Sequence, residues 1–397
     1  MYPNLRYAVY DLIGLDVPAL ALIQTYGFFL ALTFLACGWA LTADLKRRER
    51  LGILHGKEEI KLMGQPLSGI DIITNAILGF VLGFKGLYAV FNANLFTGPN
   101  AKQYLLSLEH GSWIGGLVLA GLFTFFKYRE NKKERLEYPT PEEVSKIVMP
   151  HERVSDIIIL AAISGIVGAK LLYMTEVEYN SLEQVMADFF SGSGLSVYGG
   201  FILAFFVVTY YVRSKDMPLP QMIDACAPAM ILGTGLGRLG CHFSGDGDWG
   251  DPNPYAKPAA WIPDWLWAYD YPNNVMSSGV PMEDCYYPES FGEYCSVLPQ
   301  GVFPTPIFEL IICLIIFAIL WALRPKVVVH GIIFSVYLML TGVQRFLLEM
   351  IRVNDDHAIA GFNLSQAQYI SIVLMVIGAA MTAYLVIKQK QLPVKEE

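Results

Sequence analysis

The feature that most constrains this chain is its long apolar runs. At least eight runs of predominantly apolar residues follow one another along the 397 residues, and about 20 such residues are what a helix needs to cross a bilayer. A closed β-barrel would show alternating segments of about 10 residues instead, and these are absent. Charged residues make up only 16% of the chain, against about 25% in an ordinary soluble domain. That argues against a soluble enzyme and against disorder. The net charge of −8 leaves no electrostatic footprint for nucleic acid, so no nucleic-acid partner is expected. Six cysteines without a CxxC pair give no zinc-site or thioredoxin-like reading, and no metal or cofactor is expected. Only Arg6 is basic before the first span, which is too long for a signal h-region, so no cleavable signal is expected.

The expected fold class is an all-α polytopic membrane protein, one integral membrane domain over 1–397. About nine transmembrane helices are read, at 18–40, 69–93, 110–126, 154–176, 196–212, 220–240, 304–323, 330–351 and 365–387. Between these spans, 20 Lys and Arg fall on one side and four on the other. The positive-inside rule then predicts a periplasmic N-terminus and a cytoplasmic C-terminus. The longest outside segment is a periplasmic loop over 243–303, with nine acidic residues against one Lys. Its stretch 261–271 reads as an interfacial aromatic belt. Cys285 and Cys295 lie in this loop, in an oxidising compartment, where a disulfide is the natural expectation and two free thiols the alternative. Cys37, Cys226, Cys241 and Cys313 lie in or at the ends of spans and read as packing residues.

The chain contains a duplication. Asp71-Ile-Ile…Gly83-Phe-Lys85-Gly-Leu-Tyr88 is repeated, 85 residues on, as Asp156-Ile-Ile…Gly168-Ala-Lys170-Leu-Leu-Tyr173, and Gly115-Gly116 then matches Gly199-Gly200. The helix pair 69–126 thus duplicates 154–212. Parallel repeats occur in transporters too, so the duplication does not choose a function. Lys85 and Lys170 either snorkel to the outer headgroups or contact a phosphate there.

Two arginines stand within spans, where each costs about 2.5–3.5 kcal/mol on insertion scales. Arg238 lies in Gly233-Thr-Gly-Leu-Gly237-Arg238-Leu-Gly240-Cys241-His242-Phe-Ser244-Gly245-Asp246. Arg345, Glu349 and Arg352 are spaced i, i+4, i+7 and share a helical face. Arg345–Glu349 could serve as a structural ion pair alone. Both arginines fall near the outer ends of outward-running helices, where guanidinium groups can grip a phosphodiester bidentately. The residues alone therefore suggest a lipid-phosphate site opening to the outer leaflet.

That stretch resembles the signature of the prolipoprotein diacylglyceryl transferase family, Gly-Arg-x-Gly-Asn-Phe-x-Asn-x-Glu. This chain has Gly237-Arg238-Leu-Gly240, then Cys241 and His242 for Asn-Phe, Ser244 for the second Asn and Asp246 for the Glu. Further motifs follow in family order: Tyr26-Gly27; Gly168-Ala-Lys170-Leu…Tyr173; Gly194-Leu-Ser-Val-Tyr198-Gly199-Gly200, with Tyr198 for the family His; Asp224-Ala-Cys-Ala-Pro228; Pro304-Thr-Pro-Ile-Phe-Glu309; Arg345-Phe…Glu349…Arg352…Asp355; and Ser365…Gln368. The family has seven spans, and nine equals seven plus one duplicated pair. The resemblance marks the second copy as the family-like one and the first as an appendage.

The resemblance implies an enzyme of the bacterial cytoplasmic (inner) membrane, with its active site facing the outer leaflet. It moves the diacylglyceryl group of phosphatidylglycerol to the lipobox cysteine at the signal peptide of a preprolipoprotein, and glycerol 1-phosphate leaves. Membrane lipids and that peptide are the implied partners. Arg238 is assigned to the phosphate, and Arg345 to the phosphate or the nascent thiolate. Glu349 and Asp246 would orient the arginines, Tyr26 would bond the headgroup, and Gly199, Gly200 and Gly240 would admit it. Ser244, Glu309, Arg352 and Lys170 join the expected substrate site. Tyr198 would donate to phosphate, since a phenol with pKa near 10 is a poor base. His242 is the candidate base, with an interfacial histidine as the alternative. Two competing readings remain: a phospholipid-binding relative without transfer, and a small-anion transporter. Inner span halves nearly bare of charge favour the one-sided enzyme.

Overall fold

A computed structural model describes residues 1–93, 95, 104, 109–177, 179, 181–189, 194, 196–283, 294–352, 356–359 and 362–391. In chain order, the helices are α1 (Leu5–Ile13), α2 (Thr25–Arg50), α3 (Gly69–Phe91), α4 (Trp113–Glu137), α5 (Val154–Glu176), α6 (Leu182–Phe189), α7 (Val197–Ser214), α8 (Leu219–Ser244), α9 (Asp264–Trp267), α10 (Thr305–Leu323), α11 (Ile332–Glu349) and α12 (Gln366–Gln391). Among the described residues, six helical stretches are long and apolar enough to cross a membrane: Thr25–Arg50, Gly69–Phe91, Pro150–Glu176, Thr305–Leu323, Ile332–Glu349 and Gln366–Gln389. The protein is therefore a mostly helical, multi-pass membrane protein. Helices also form over the other three expected spans. However, α4 continues into a charged arm, α7 is short, and α8 is diluted by glycine and by Asp224 and Arg238.

The fold is not purely helical. The segments on either side of the first hairpin, expected as loops, pair as antiparallel strands β1 (Lys57–Met63) and β2 (Glu142–Val148), with Ile60 opposite Ser145. Alternation of Ile60 and Leu62 with charged residues, and the β-branched Val144 and Ile147, suit a two-sided ribbon. Two further short pairs form: β3 (Val280–Pro281) with β4 (Ser296–Val297), and β5 (Asp356–Ile359) with β6 (Phe362–Ser365).

The chain clusters into two compact units. One comprises 1–3, 25–55 and 149–397, the other 4–24 and 56–148. In the larger unit, α8 is the hub and has a core on each side. Met222, Ala225, Ala229 and Leu232 pack with Ala40, Leu41 and Leu45 of α2 and with Val154 and Ile157 of α5. Ala227 and Ile231 pack with Cys313, Ile316 and Leu320 of α10 and with Ile333 and Tyr337 of α11. A helix enclosed on two sides needs small residues. A Cβ at Gly233 would press on Cys37 Sγ, and one at Gly235 on Cys313 Cβ. Cys37, Cys226, Cys241 and Cys313 are free thiols, and Cys241 Sγ accepts from Arg238 rather than only packing.

Polar capping fixes the ends of these helices. Asp224 accepts from Gly331 N–H at 2.7 Å and Phe334 N–H at 2.9 Å, which caps the start of α11. Ser365 and Gln368 form a reciprocal capping box at the start of α12: Gln368 N–H donates to Ser365 Oγ at 3.3 Å, and Ser365 N–H to Gln368 Oε1 at 3.0 Å. At the end of α2, buried Asp44 accepts from Arg47 at 2.9 Å, Arg48 at 2.7 Å and Arg324 at 3.1 Å.

Within each unit the duplicated pairs share their internal geometry. A Cβ at Gly83 would overlap the Gly115 carbonyl, and one at Gly168 the Gly199 carbonyl. Ser112 N–H donates to Phe84 O at 2.8 Å, and Ser196 N–H to Ala169 O at 2.9 Å. Lys85 Nζ donates to His110 O at 2.8 Å, and Lys170 Nζ to Gly194 O at 3.3 Å. Residues equivalent in sequence thus make equivalent contacts.

Candidate functional site

The site grows from the C-terminal turns of α8. After Arg238 the helix runs to Ser244 and stops at Gly245, which takes the left-handed conformation with φ 66° and returns its N–H to Cys241 O. Gly247, at φ 94°, turns the chain again. These turns bring Asp248 back over Arg238. An Nη of Arg238 meets Asp248 Oδ2, while Arg238 Nε lies 2.8 Å from Glu309 Oε2 in the second turn of α10. Asp248 Oδ1 meets an Nη of Arg352, just beyond α11. One carboxylate therefore joins two guanidiniums that stand 114 residues apart in the chain.

The loop that carries Asp248 is stitched in place. Thr305 Oγ1 donates to Asp248 O at 2.6 Å, Gly250 N–H to Phe303 O at 2.9 Å and Asp251 N–H to Ile351 O at 3.0 Å. Arg345 pairs with Glu349 at 3.0 Å, and Ser365 Oγ donates to the other Glu349 oxygen at 2.8 Å. The α12 cap thus holds the carboxylate that holds Arg345. The acids lie deeper than the bases: Glu309 and Glu349 side chains are each 3% exposed, Arg238 25% and Arg345 28%. Buried carboxylates behind half-buried guanidiniums fix the cations, and on Arg238 and Arg352 the Asp248 carboxylate takes a further contact of the kind an anion makes.

The other sequence-expected residues fall as follows. Tyr26 packs directly on Gly240, and its phenol feels the charges of Arg238, Asp246 and Asp248, so it borders the site. Asp246 lies just beyond the end of α8, and its Oδ1 accepts Asp248 N–H at 3.2 Å. Burial pushes its carboxyl up, against a Cys241 hydrogen bond that pulls it down. The carboxylates that meet Arg238 are those of Asp248 and Glu309. Asp248 was not singled out from the sequence, although its place in Asp246-Gly-Asp248 offered two acids to choose between. Ser244 is buried and bonds its own helix at Cys241 O, 3.4 Å away. Gly199 lies against Gly168 and Gly200 near the Gly165 carbonyl, at the crossing of α5 and α7. Lys170, 3% exposed, bonds Gly194 O and lies 3.9 Å from Asp188. Tyr198 is 44% exposed on the first turn of α7.

His242 is 4% exposed, enclosed by the rings of Phe243, Tyr269 and Tyr271, with Nδ1 3.2 Å from Tyr271 Oη. Tyr271 is fully buried, so part of the expected aromatic belt turns inward, while Trp261 stays exposed. Cys295 is a disulfide-bonded cysteine. Cys285 and Asp355 lie outside the described residues.

The fold and the site define an integral membrane protein with a cluster of carboxylate-fixed arginines, chemistry suited to an anionic headgroup. The comparisons make that class specific. The family model for prolipoprotein diacylglyceryl transferase matches residues 112–384, more than half of the chain. A phosphatidylglycerol–prolipoprotein diacylglyceryl transferase of Dehalococcoides mccartyi is 30% identical over 297 residues, covering 70% of this chain and 91% of that protein. One of Leptospira interrogans is 26% identical over 290 residues (61% and 82%), and one of Corynebacterium glutamicum 29% identical over 247 (61% and 72%). The chain belongs to the prolipoprotein diacylglyceryl transferase family. The family match contains the second helix pair entirely and the first only in part, and it leaves out α2 with Tyr26.

Proposed function

We propose that the chain transfers the sn-1,2-diacylglyceryl group of phosphatidylglycerol to the lipobox cysteine thiol of a preprolipoprotein and releases glycerol 1-phosphate. The observation that carries this is the fixing of Arg238 by buried Glu309, within a chain of this family. The C–O bond to the lipid phosphate breaks as the thiolate sulfur bonds the glycerol carbon. The departing phosphate gains negative charge, which a guanidinium already held in place stabilises without reorganisation. Arg238 takes the phosphate. Arg345, backed by Glu349 and Ser365, supplies the positive field that favours the thiolate of a thiol with pKa near 8.5. Arg352 completes the cluster, and Tyr26 donates to the headgroup. The nucleophile belongs to the peptide, so no cysteine of this chain takes part.

The chain lies in the bacterial cytoplasmic membrane with nine spans, N-terminus outside and C-terminus inside, and its site opens to the outer leaflet. The asymmetry of 20 against four basic residues supports this. The helix pair 69–126 is a structural repeat outside the reaction, and Cys285 pairs with Cys295. The test is direct: purified protein, phosphatidylglycerol and a lipobox peptide should yield glycerol 1-phosphate and a lipidated peptide. Lipid binding without release would leave only the non-catalytic relative.

A further inference from the structure

The proposed reaction puts a lipid phosphate on Arg238, yet an internal carboxylate already sits there. Asp248 spans Arg238 and Arg352, one oxygen to each, as a phosphate would. Counting charges makes the conflict concrete. Arg238 and Arg352 carry two positive charges, and Asp248 and Glu309 two negative, so the linked group is neutral. Arg345 and Glu349 make their own neutral pair. A phosphodiester monoanion would enter this half-buried group with no excess charge to balance it. Without Asp248 the group gains one positive charge, which favours an anionic headgroup even beside the Asp246 carboxyl.

Two carboxylates could give way, and the structure distinguishes them. Glu309 is 3% exposed and rooted in α10. Asp248 is 16% exposed and stands on a loop. The backbone of that loop is held by Thr305, Phe303 and Ile351, so a rotation of the Asp248 side chain is the available movement.

We propose that Asp248 is an internal occupant of the phosphate site. Its side chain swings off the two arginines before an anionic lipid headgroup binds, and it thereby sets both the affinity and the charge of the headgroup accepted. This rests on the reading of Arg238 as the phosphate ligand. An occupant in place for about nine-tenths of the time weakens apparent affinity about tenfold.

The test is binding of dihexanoyl phosphatidylglycerol to the full-length protein in detergent, by calorimetry, for wild type, Asp248→Asn and Asp248→Ala. Asp248→Asn should bind roughly tenfold tighter. Asp248→Ala removes both the carboxylate and its reach to either arginine, and should gain at least as much. A folded Asp248→Asn with unchanged or weaker binding overturns the proposal. Should that variant not fold, Asp248→Ala decides: tighter binding supports the proposal and unchanged or weaker binding overturns it. Failure of the underlying reading has a different signature, since Arg238→Ala would then bind the lipid as well as wild type.

Discussion

Arg238 Nε lies 2.8 Å from Glu309 Oε2, an ion pair that locks the C-terminal end of α8 to the second turn of α10. The carboxylate is almost wholly enclosed and the guanidinium only partly, so Glu309 serves to aim Arg238 outward.

Glu309→Gln should therefore act on turnover. Without the charge behind it, Arg238 loses its fixed direction, and kcat should fall about tenfold or more, ~1.4 kcal/mol of transition-state stabilisation. Steady-state release of glycerol 1-phosphate checks this. Wild-type kcat in Glu309→Gln would show that Arg238 is aimed by other groups.

A second buried carboxylate tests stability alone. Asp44 is fully enclosed and holds Arg47, Arg48 and Arg324. Asp44→Asn leaves three guanidiniums facing one another, and breaking such a buried group costs about 3–5 kcal/mol. Thermal unfolding in detergent should show a clearly lowered transition for Asp44→Asn, and an unaltered transition would refute that role.

The glycine crossings give a paired prediction. Gly168 and Gly199 approach so closely that a side chain on either meets backbone carbonyl rather than a movable side chain. Gly199→Val should destabilise by about 1–3 kcal/mol through overpacking. Gly115→Val should cost a similar amount, because Gly83 and Gly115 repeat the contact. Unequal costs, read by thermal unfolding, would mean that the two crossings are not equivalent.

His242 was a candidate base on sequence grounds, but its ring is wrapped by Phe243, Tyr269 and Tyr271. His242→Gln keeps a hydrogen-bonding group near Tyr271, and its turnover should stay within about threefold, ~0.7 kcal/mol, of wild type. A folded variant without turnover would restore the proton-transfer role.

How much the sequence reveals follows from the range of each force. Apolar runs announce α2, α3, α5, α10, α11 and α12, because burial in lipid acts on whole segments. The pairing of β1 with β2 was hidden, since charged strands whose alternation covers only a few residues read as loops. The ion pair Arg345–Glu349 was visible, because helical spacing sets it locally. The bridge from Arg238 through Asp248 to Arg352 was not: it depends on two turns, at Gly245 and Gly247, whose outcome spacing does not determine. The family register pointed to Asp246, and the chain reversal delivers Asp248 instead. Lys170 was read with two alternatives, and tertiary structure turns it to Gly194 O. The glycines at 199 and 240, which the family motif marks as admitting a headgroup, also let Gly168 and Tyr26 approach, a contact that spacing does not reveal.

The most direct measurement is glycerol 1-phosphate release by Arg238→Ala beside wild type, with phosphatidylglycerol and a lipobox peptide, in protein shown to be folded. With the phosphate ligand removed, release should fall at least about a hundredfold, ~2.7 kcal/mol, as for loss of a fixed transition-state donor. Release at the wild-type rate would contradict the account at its centre.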